Sequence, residues 1–245
     1  MRDALAFLTI LPFPCPLLDS TPALRMGRAM PWFPLVGVLV GGVGAGVSFL
    51  ATHGWSHPVA SLLGLIAMVV MTGGLHLDGF SDTVDGLAAW RGPKETLRVM
   101  RDSRIGTLGA AGLILLLGLK WVLIQTIPIK GLASVLVVAC ALSRMCLVLS
   151  AQTFPYIPGE SGLGRFATDH RSPLVLWTAL ALGMGVAIAC VGPFRGLLCV
   201  GGAIVITWGL NRFFLGRLGG ITGDTLGAVN EVIEVSLLLY LQVVG

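Results

Sequence analysis

PWFPLVGVLVGGVGAGVSFLAT, residues 31–52, carries no charged side chain and five glycines. About 20 consecutive apolar residues is the length that crosses a bilayer as a helix. The glycine-rich part, residues 37–46, suits close helix packing in lipid. Similar runs recur at 58–75, 107–127, 131–153, 173–192 and 195–215. A further run, 225–244, is apolar in its second half and carries Asn230, Glu231 and Glu234 in its first. The 245 residues are 55% apolar and 11% charged, with a mean hydropathy of +0.90. A soluble domain carries about a quarter charged residues. The expectation is an all-α, polytopic transmembrane helical bundle of about seven spans, with residues 1–245 forming one integral membrane domain. No internal repeat and no low-complexity linker occurs, and the segments between runs are too short for a separate soluble catalytic domain. The lipid bilayer is the expected partner, and nucleic acid is not.

Lys and Arg on alternate connecting segments set the orientation. With the N-terminus inside, twelve of them fall on the cytoplasmic side. These are Arg2, Arg25, Arg28, Arg91, Lys94, Arg98, Arg101, Arg104, Arg165, Arg171, Arg212 and Arg217. Only Lys130 and Arg195 fall on the other side. Seven spans, N-in and C-out, follow. The polar segments 76–106, 154–172 and 212–230 then share the cytoplasmic face, where a functional site is expected.

The N-terminal stretch, MRDALAFLTILPFPCPLL, opens as a signal peptide would, but Pro12, Pro14 and Pro16 break the apolar run. No small-residue cleavage site follows, so an interfacial segment is expected. The five cysteines (Cys15, Cys140, Cys146, Cys190, Cys199) have neither metal-ligand nor redox spacing and read as small packing residues.

The polar segment 76–106 reads HLDGFSDTVDGLAAWRGPKETLRVMRDSRIG. Asp78, Asp82 and Asp85 are spaced i, i+4, i+7, which places them within roughly 60° on a helix. Three carboxylates on one stripe repel one another, and acids near hydrocarbon usually mark function. A divalent cation is the simplest occupant; Mg²⁺ takes one or two carboxylates plus substrate phosphates. Solvated, helix-capping aspartates are the plainer alternative. Arg98, Arg101 and Arg104, beside Asp102, suit bidentate phosphate contacts or positive-inside anchoring. Gly106-Thr107 could open a helix whose free N–H groups face an anion.

Asp224, Glu231 and Glu234 fall on one helical face, beside Asn230. They suit a second ligand set, a general base, or an ion pair with Arg212 or Arg217. Lys120 and Arg144 lie near the middle of their runs and must face the protein interior or snorkel; either could meet a ligand phosphate or a buried acid, or form a structural ion pair. His76 is either a metal-assisting or a hydrogen-bonded structural side chain. Trp32, Phe80, Trp90, Phe154 and Tyr156 read as interface anchors or as the lining of a large ligand pocket.

The stretches AFLTILPFP (6–14), FPLVG (33–37), GGLHLDGFSDTVDGL (73–87), RVMRDSRIGTLG (98–109) and GGITGDTLGAVNEVIE (219–234) closely resemble the cobalamin synthase family of adenosylcobinamide-GDP ribazoletransferases. The resemblance spans essentially the whole chain. It implies an inner-membrane enzyme that joins adenosylcobinamide-GDP to α-ribazole, or its 5′-phosphate, and releases GMP with Mg²⁺ as cofactor. Under it, Asp78, Asp82 and Asp85 are metal ligands, and Arg98, Arg101, Arg104, Lys120 and Asn230 bind substrate. Asp82 and Asp85 also take part in catalysis, and Asp102 or Glu231 receives the proton of the attacking hydroxyl. A partial likeness to the CDP-alcohol phosphotransferase motif covers Asp82 to Ala89, with Trp90 inserted before Arg91 and the later acids missing. It reads as shared chemistry, not membership.

Two other classes compete. Asp78-x-x-x-Asp82 also suits a prenyl diphosphate, but no good second aspartate motif follows. Lys120, Arg144 and Glu234 could line a transport pathway, yet transporters often show inverted repeats and none is present. Glycine-rich spans permit a homo-oligomer without requiring one.

Overall fold

Prolines and glycines set where the helices begin and end. The computed structural model describes residues 1–12, 22–89, 92–158, Arg165, Thr168 and 171–244. Its helices are α1 (Arg2–Leu8), α2 (Pro22–Ala29), α3 (Phe33–Ala51), α4 (His57–Thr72), α5 (Leu75–Ala88) and α6 (Pro93–Met100). They are followed by α7 (Thr107–Thr126), α8 (Ile129–Thr153), α9 (Pro173–Val191), α10 (Pro193–Leu218) and α11 (Gly223–Val244). Proline occupies the first turn of α3, α4, α6, α9 and α10, where its missing N–H has no intrahelical partner to lose. Among the described residues no strand forms; Tyr156 and Ile221 make one isolated parallel bridge.

Among the described residues, six helical segments are long and apolar enough to cross a membrane, and α4 with α5 make a seventh if counted as one broken span. The run 58–75 does not continue straight toward His76: α4 stops at Thr72, and Gly73 and Gly74 follow with φ of 60° and 69°. Two successive left-handed residues are a conformation that glycine tolerates and other residues rarely adopt. The chain turns by 88° there before α5 begins. The segment 76–106 is likewise no loop, since α5 and α6 occupy most of it.

Helix α8 is the centre of the bundle, buried along most of its length and packed on α3, α9 and α11. Gly37 and Gly41 allow this. A Cβ on either would collide with the α8 backbone at Cys140 and Leu136, so α3 and α8 touch main chain to main chain. The described cysteines, Cys140, Cys146, Cys190 and Cys199, are free thiols; Cys140, Cys146 and Cys199 belong to the buried core. Cys15, Pro14 and Pro16 lie outside the described residues.

Candidate active site

Helix α5 carries the acid stripe, and its packing separates the three aspartates. Gly79 and Gly227 let α5 and α11 approach closely: a Cβ on Gly79 would sit 2.9 Å from the Asp224 backbone, and one on Gly227 2.9 Å from the His76 carbonyl. The opposite flank of α5 lies on the start of α7. There the two oxygens of Asp85 accept the backbone N–H groups of Gly106 and Gly109, each at 2.7 Å. Gly106 is the N-cap of α7 and has no side chain to offer, so Asp85 performs the capping from a neighbouring helix. The anion at this helix start is the protein's own carboxylate.

Asp78 and Asp82 face elsewhere. Both line a cavity of about 580 Å³ whose wall also includes Ser81, Ser103, Thr9 and Thr72. Apolar wall comes from Phe7, Ile10, Leu75, Ile105 and Leu113, and the Gly73-Gly74 turn closes one end. Asp85 is not among the lining residues. The Ser81 hydroxyl is buried and has no hydrogen-bond partner among the described residues, although a buried polar group normally finds one. Among the described residues, no three His, Cys, Asp or Glu side chains converge as a ready metal-ligand group.

A second polar cluster lies inside the bundle. Lys120 Nζ donates to Glu231 Oε2 at 2.5 Å and to Glu234 Oε2 at 2.6 Å. The other oxygen of Glu234 accepts from Arg144, and from the Ser143 hydroxyl at 3.3 Å. Asn230 Nδ2 donates to Glu231 Oε1 and Glu234 Oε1, both at 3.3 Å. All four charged residues are at most 4% exposed. Two cations and two anions therefore neutralise one another where unpaired charge is costly. The partners of the glutamates are Lys120 and Arg144, not Arg212 or Arg217. Lys120 and Asn230 point into this cluster and do not line the large cavity. An adjoining cavity of about 20 Å³ has room for one water. Thr72 lines both spaces. His76 is buried.

The arginine segment is more open. Arg98 makes a two-pronged contact with Glu95 at 2.9 and 2.6 Å. Arg104 makes another with Asp102, at 3.0 and 2.8 Å. The Arg104 side-chain hydrogen bonds, then its backbone N–H, hold the Asp102 carboxyl down at about 2. Hydrogen bonding to Glu95 and Asp102 respectively raises the two guanidinium groups above their ordinary value. Arg101 is exposed. Ser103 and Ile105 from this segment reach the cavity wall.

Sequence reasoning missed Phe7, Thr9, Ile10, Thr72 and Ser81 as site residues. AFLTILPFP was visible as a motif, but nothing local showed that it folds back onto α4 and α5. Its anchor is a backbone bond, Ile10 N–H to the Met71 carbonyl at 2.9 Å. Of the aromatic residues considered for a ligand pocket, Trp32, Phe80, Phe154 and Tyr156 do not line this cavity. Phe154 packs edge-on to Trp208, with ring centroids 5.0 Å apart, and Trp32 is exposed. Trp90 and Arg91 lie outside the described residues.

A family model described as cobalamin-5-phosphate synthase matches residues 1–242. The chain belongs to the cobalamin-5-phosphate synthase family. Curated relatives named adenosylcobinamide-GDP ribazoletransferase agree. The protein from Herpetosiphon aurantiacus is 39% identical over 97% of this chain and 94% of its own length. That from Klebsiella pneumoniae is 37% identical over 97% of both chains, and that from Desulforamulus reducens 34% over 96% and 92%. No solved structure matches the chain. Membership in the cobalamin-5-phosphate synthase family makes the protein a transferase of cobalamin biosynthesis, and its cavity is the candidate place for that chemistry.

Proposed function

We propose that the chain is an adenosylcobinamide-GDP ribazoletransferase working at the cytoplasmic face of the cell's inner membrane, in an N-in, C-out topology. A hydroxyl of α-ribazole, or of its 5′-phosphate, attacks the cobinamide-side phosphorus of adenosylcobinamide-GDP. A new oxygen–phosphorus bond forms, the bond to GMP breaks, and GMP leaves as a phosphate monoester. The observation that carries this reading is the pairing of Asp78 and Asp82 on one cavity wall, with the unpartnered Ser81 hydroxyl between them in sequence.

Two carboxylates and a free hydroxyl fit Mg²⁺, an ion that takes one or two protein carboxylates together with substrate phosphates. When bound, Mg²⁺ supplies charge neutralisation on the diphosphate as the phosphorus–oxygen bond breaks. Asp78 and Asp82 would hold it. Asp85 keeps the start of α7 beside them, and Ser81 donates to a phosphate oxygen. Of the four acids assigned to catalysis from the sequence, only Asp82 lines the cavity. The hydroxyl proton is therefore assigned to an Asp82 oxygen, not to Asp102 or to the lysine-bound Glu231. Arg101, exposed beside the cavity segment, and its neighbours Arg98 and Arg104 supply positive charge for the incoming diphosphate.

The test uses membranes containing the protein, adenosylcobinamide-GDP, α-ribazole and a Mg²⁺ series. GMP release that requires both organic substrates and the metal supports the reading. Release without the acceptor, or none under any combination, overturns it.

A further inference from the structure

The cavity has an internal division that says which substrate enters it. Asp78, Asp82, Ser81 and Ser103 supply polar atoms, whereas Phe7, Ile10, Leu75, Ile105 and Leu113 supply apolar wall. The mouth is apolar: Ile10 and Ile105 are each 58% exposed and Leu75 is 41% exposed. Phe7 is held in place, because its ring stacks on Phe33 with centroids 5.8 Å apart and planes 16° from parallel. A braced aromatic ring on an otherwise aliphatic wall is a platform for a flat, uncharged ring system.

Size excludes the whole donor, and the apolar wall disfavours its guanine, whose amide edge needs polar partners. About 580 Å³ lies within the range that encloses one drug-sized ligand, roughly 300–1,000 Å³. It suits a nucleoside. A corrin macrocycle joined to a nucleoside diphosphate is far larger. Resting on the transferase reading above, we propose that this cavity is the acceptor subsite. The benzimidazole base of α-ribazole lies on Phe7 between Ile10 and Ile105, with its ribose toward Asp78 and Asp82. The donor's diphosphate then enters from the open side, and its corrin stays outside the mouth.

The experiment measures KM for each substrate separately in membranes, with α-ribazole binding to the detergent-solubilised full chain measured without donor. Phe7→Ala is expected to raise KM for α-ribazole about tenfold or more, as loss of a stacking platform does, and to leave KM for adenosylcobinamide-GDP unchanged. Phe7→Trp keeps a ring and restores most of the affinity. Ile105→Ala, at an exposed position that the fold does not depend on, raises acceptor KM alone and guards against a folding defect at Phe7. Equal changes for both substrates, a change for the donor only, or an unchanged acceptor KM in both variants overturns the assignment. If wild-type membranes release no GMP with both substrates, the transferase reading itself fails. If they turn over normally while acceptor KM ignores Phe7 and Ile105, only the subsite assignment fails.

Discussion

The Asp85 carboxylate accepts the Gly109 N–H at 2.7 Å, and this bond sorts the acid stripe into two roles. One aspartate is committed to joining α5 to α7, while Asp78 and Asp82 look into the cavity. Asp85→Ala leaves the Gly106 and Gly109 N–H groups without their partner. It is expected to lower stability by about 1–2 kcal/mol, the usual cost of a lost cap. Asp85→Asn keeps one accepting oxygen and falls between the two. Thermal unfolding in detergent gives the order.

Asp82→Asn is expected to behave in the opposite way. Removing one of several like charges on α5 leaves stability equal to or above wild type. Losing about 3 kcal/mol of charge stabilisation in the transition state lowers turnover about a hundredfold. GMP release and thermal unfolding on the same preparation test both halves. Near-normal turnover would remove Asp82 from the site.

The buried cluster predicts strong coupling. Glu234→Gln leaves Arg144 without its carboxylate partner and is expected to cost about 3–5 kcal/mol, as breaking a buried pair does. The double variant Arg144→Met/Glu234→Leu leaves Lys120 and Glu231 as a neutral pair and recovers much of that loss. A double-mutant cycle on unfolding free energy measures the difference.

Two glycines of α3 provide a matched pair. A Cβ at Gly37 collides with the α8 backbone at Cys140, whereas one at Gly42 meets nothing within 4 Å. Gly37→Ala is expected to destabilise by about 1–3 kcal/mol or more, the range for overpacking. Gly42→Ala is expected to be neutral or slightly stabilising, since alanine loses less backbone freedom than glycine. Unfolding temperatures of the two variants decide.

Asp102 sets a pH expectation. Arg104 depresses its carboxyl to about 2, below the ordinary value of an aspartate at roughly 4. Its contact with Arg104 is therefore complete above about 4 and is lost only as pH falls toward 2. Asp102→Asn is expected to leave the acidic limb of the kcat/KM profile in place. A limb that moves in this variant would return Asp102 to the role of proton acceptor.

Much of the architecture was legible because hydrocarbon imposes simple rules. Long uncharged runs, prolines at helix starts and the 3.6-residue spacing of Asp78, Asp82 and Asp85 all have local causes. The separation of Asp85 from its neighbours was not legible, since it depends on a helix start 21 residues away. Nor were the partners of Glu234, which sit 90 and 114 residues earlier in the chain. Their charges could be paired on paper with any of several basic residues. Phe7 escaped for the same reason: its placement rests on a tertiary backbone bond between Ile10 and Met71.

The sequence distance within the buried cluster has a consequence for biogenesis. Lys120 and Arg144 are synthesised before Glu231 and Glu234, Arg144 by 90 residues. Until α11 emerges, a nascent chain must hold two cations without these carboxylates. Truncation before residue 223 therefore makes a chain whose inserted helices carry an uncompensated double positive charge. Such a product is expected to insert poorly, because a cation without its carboxylate is costly in hydrocarbon.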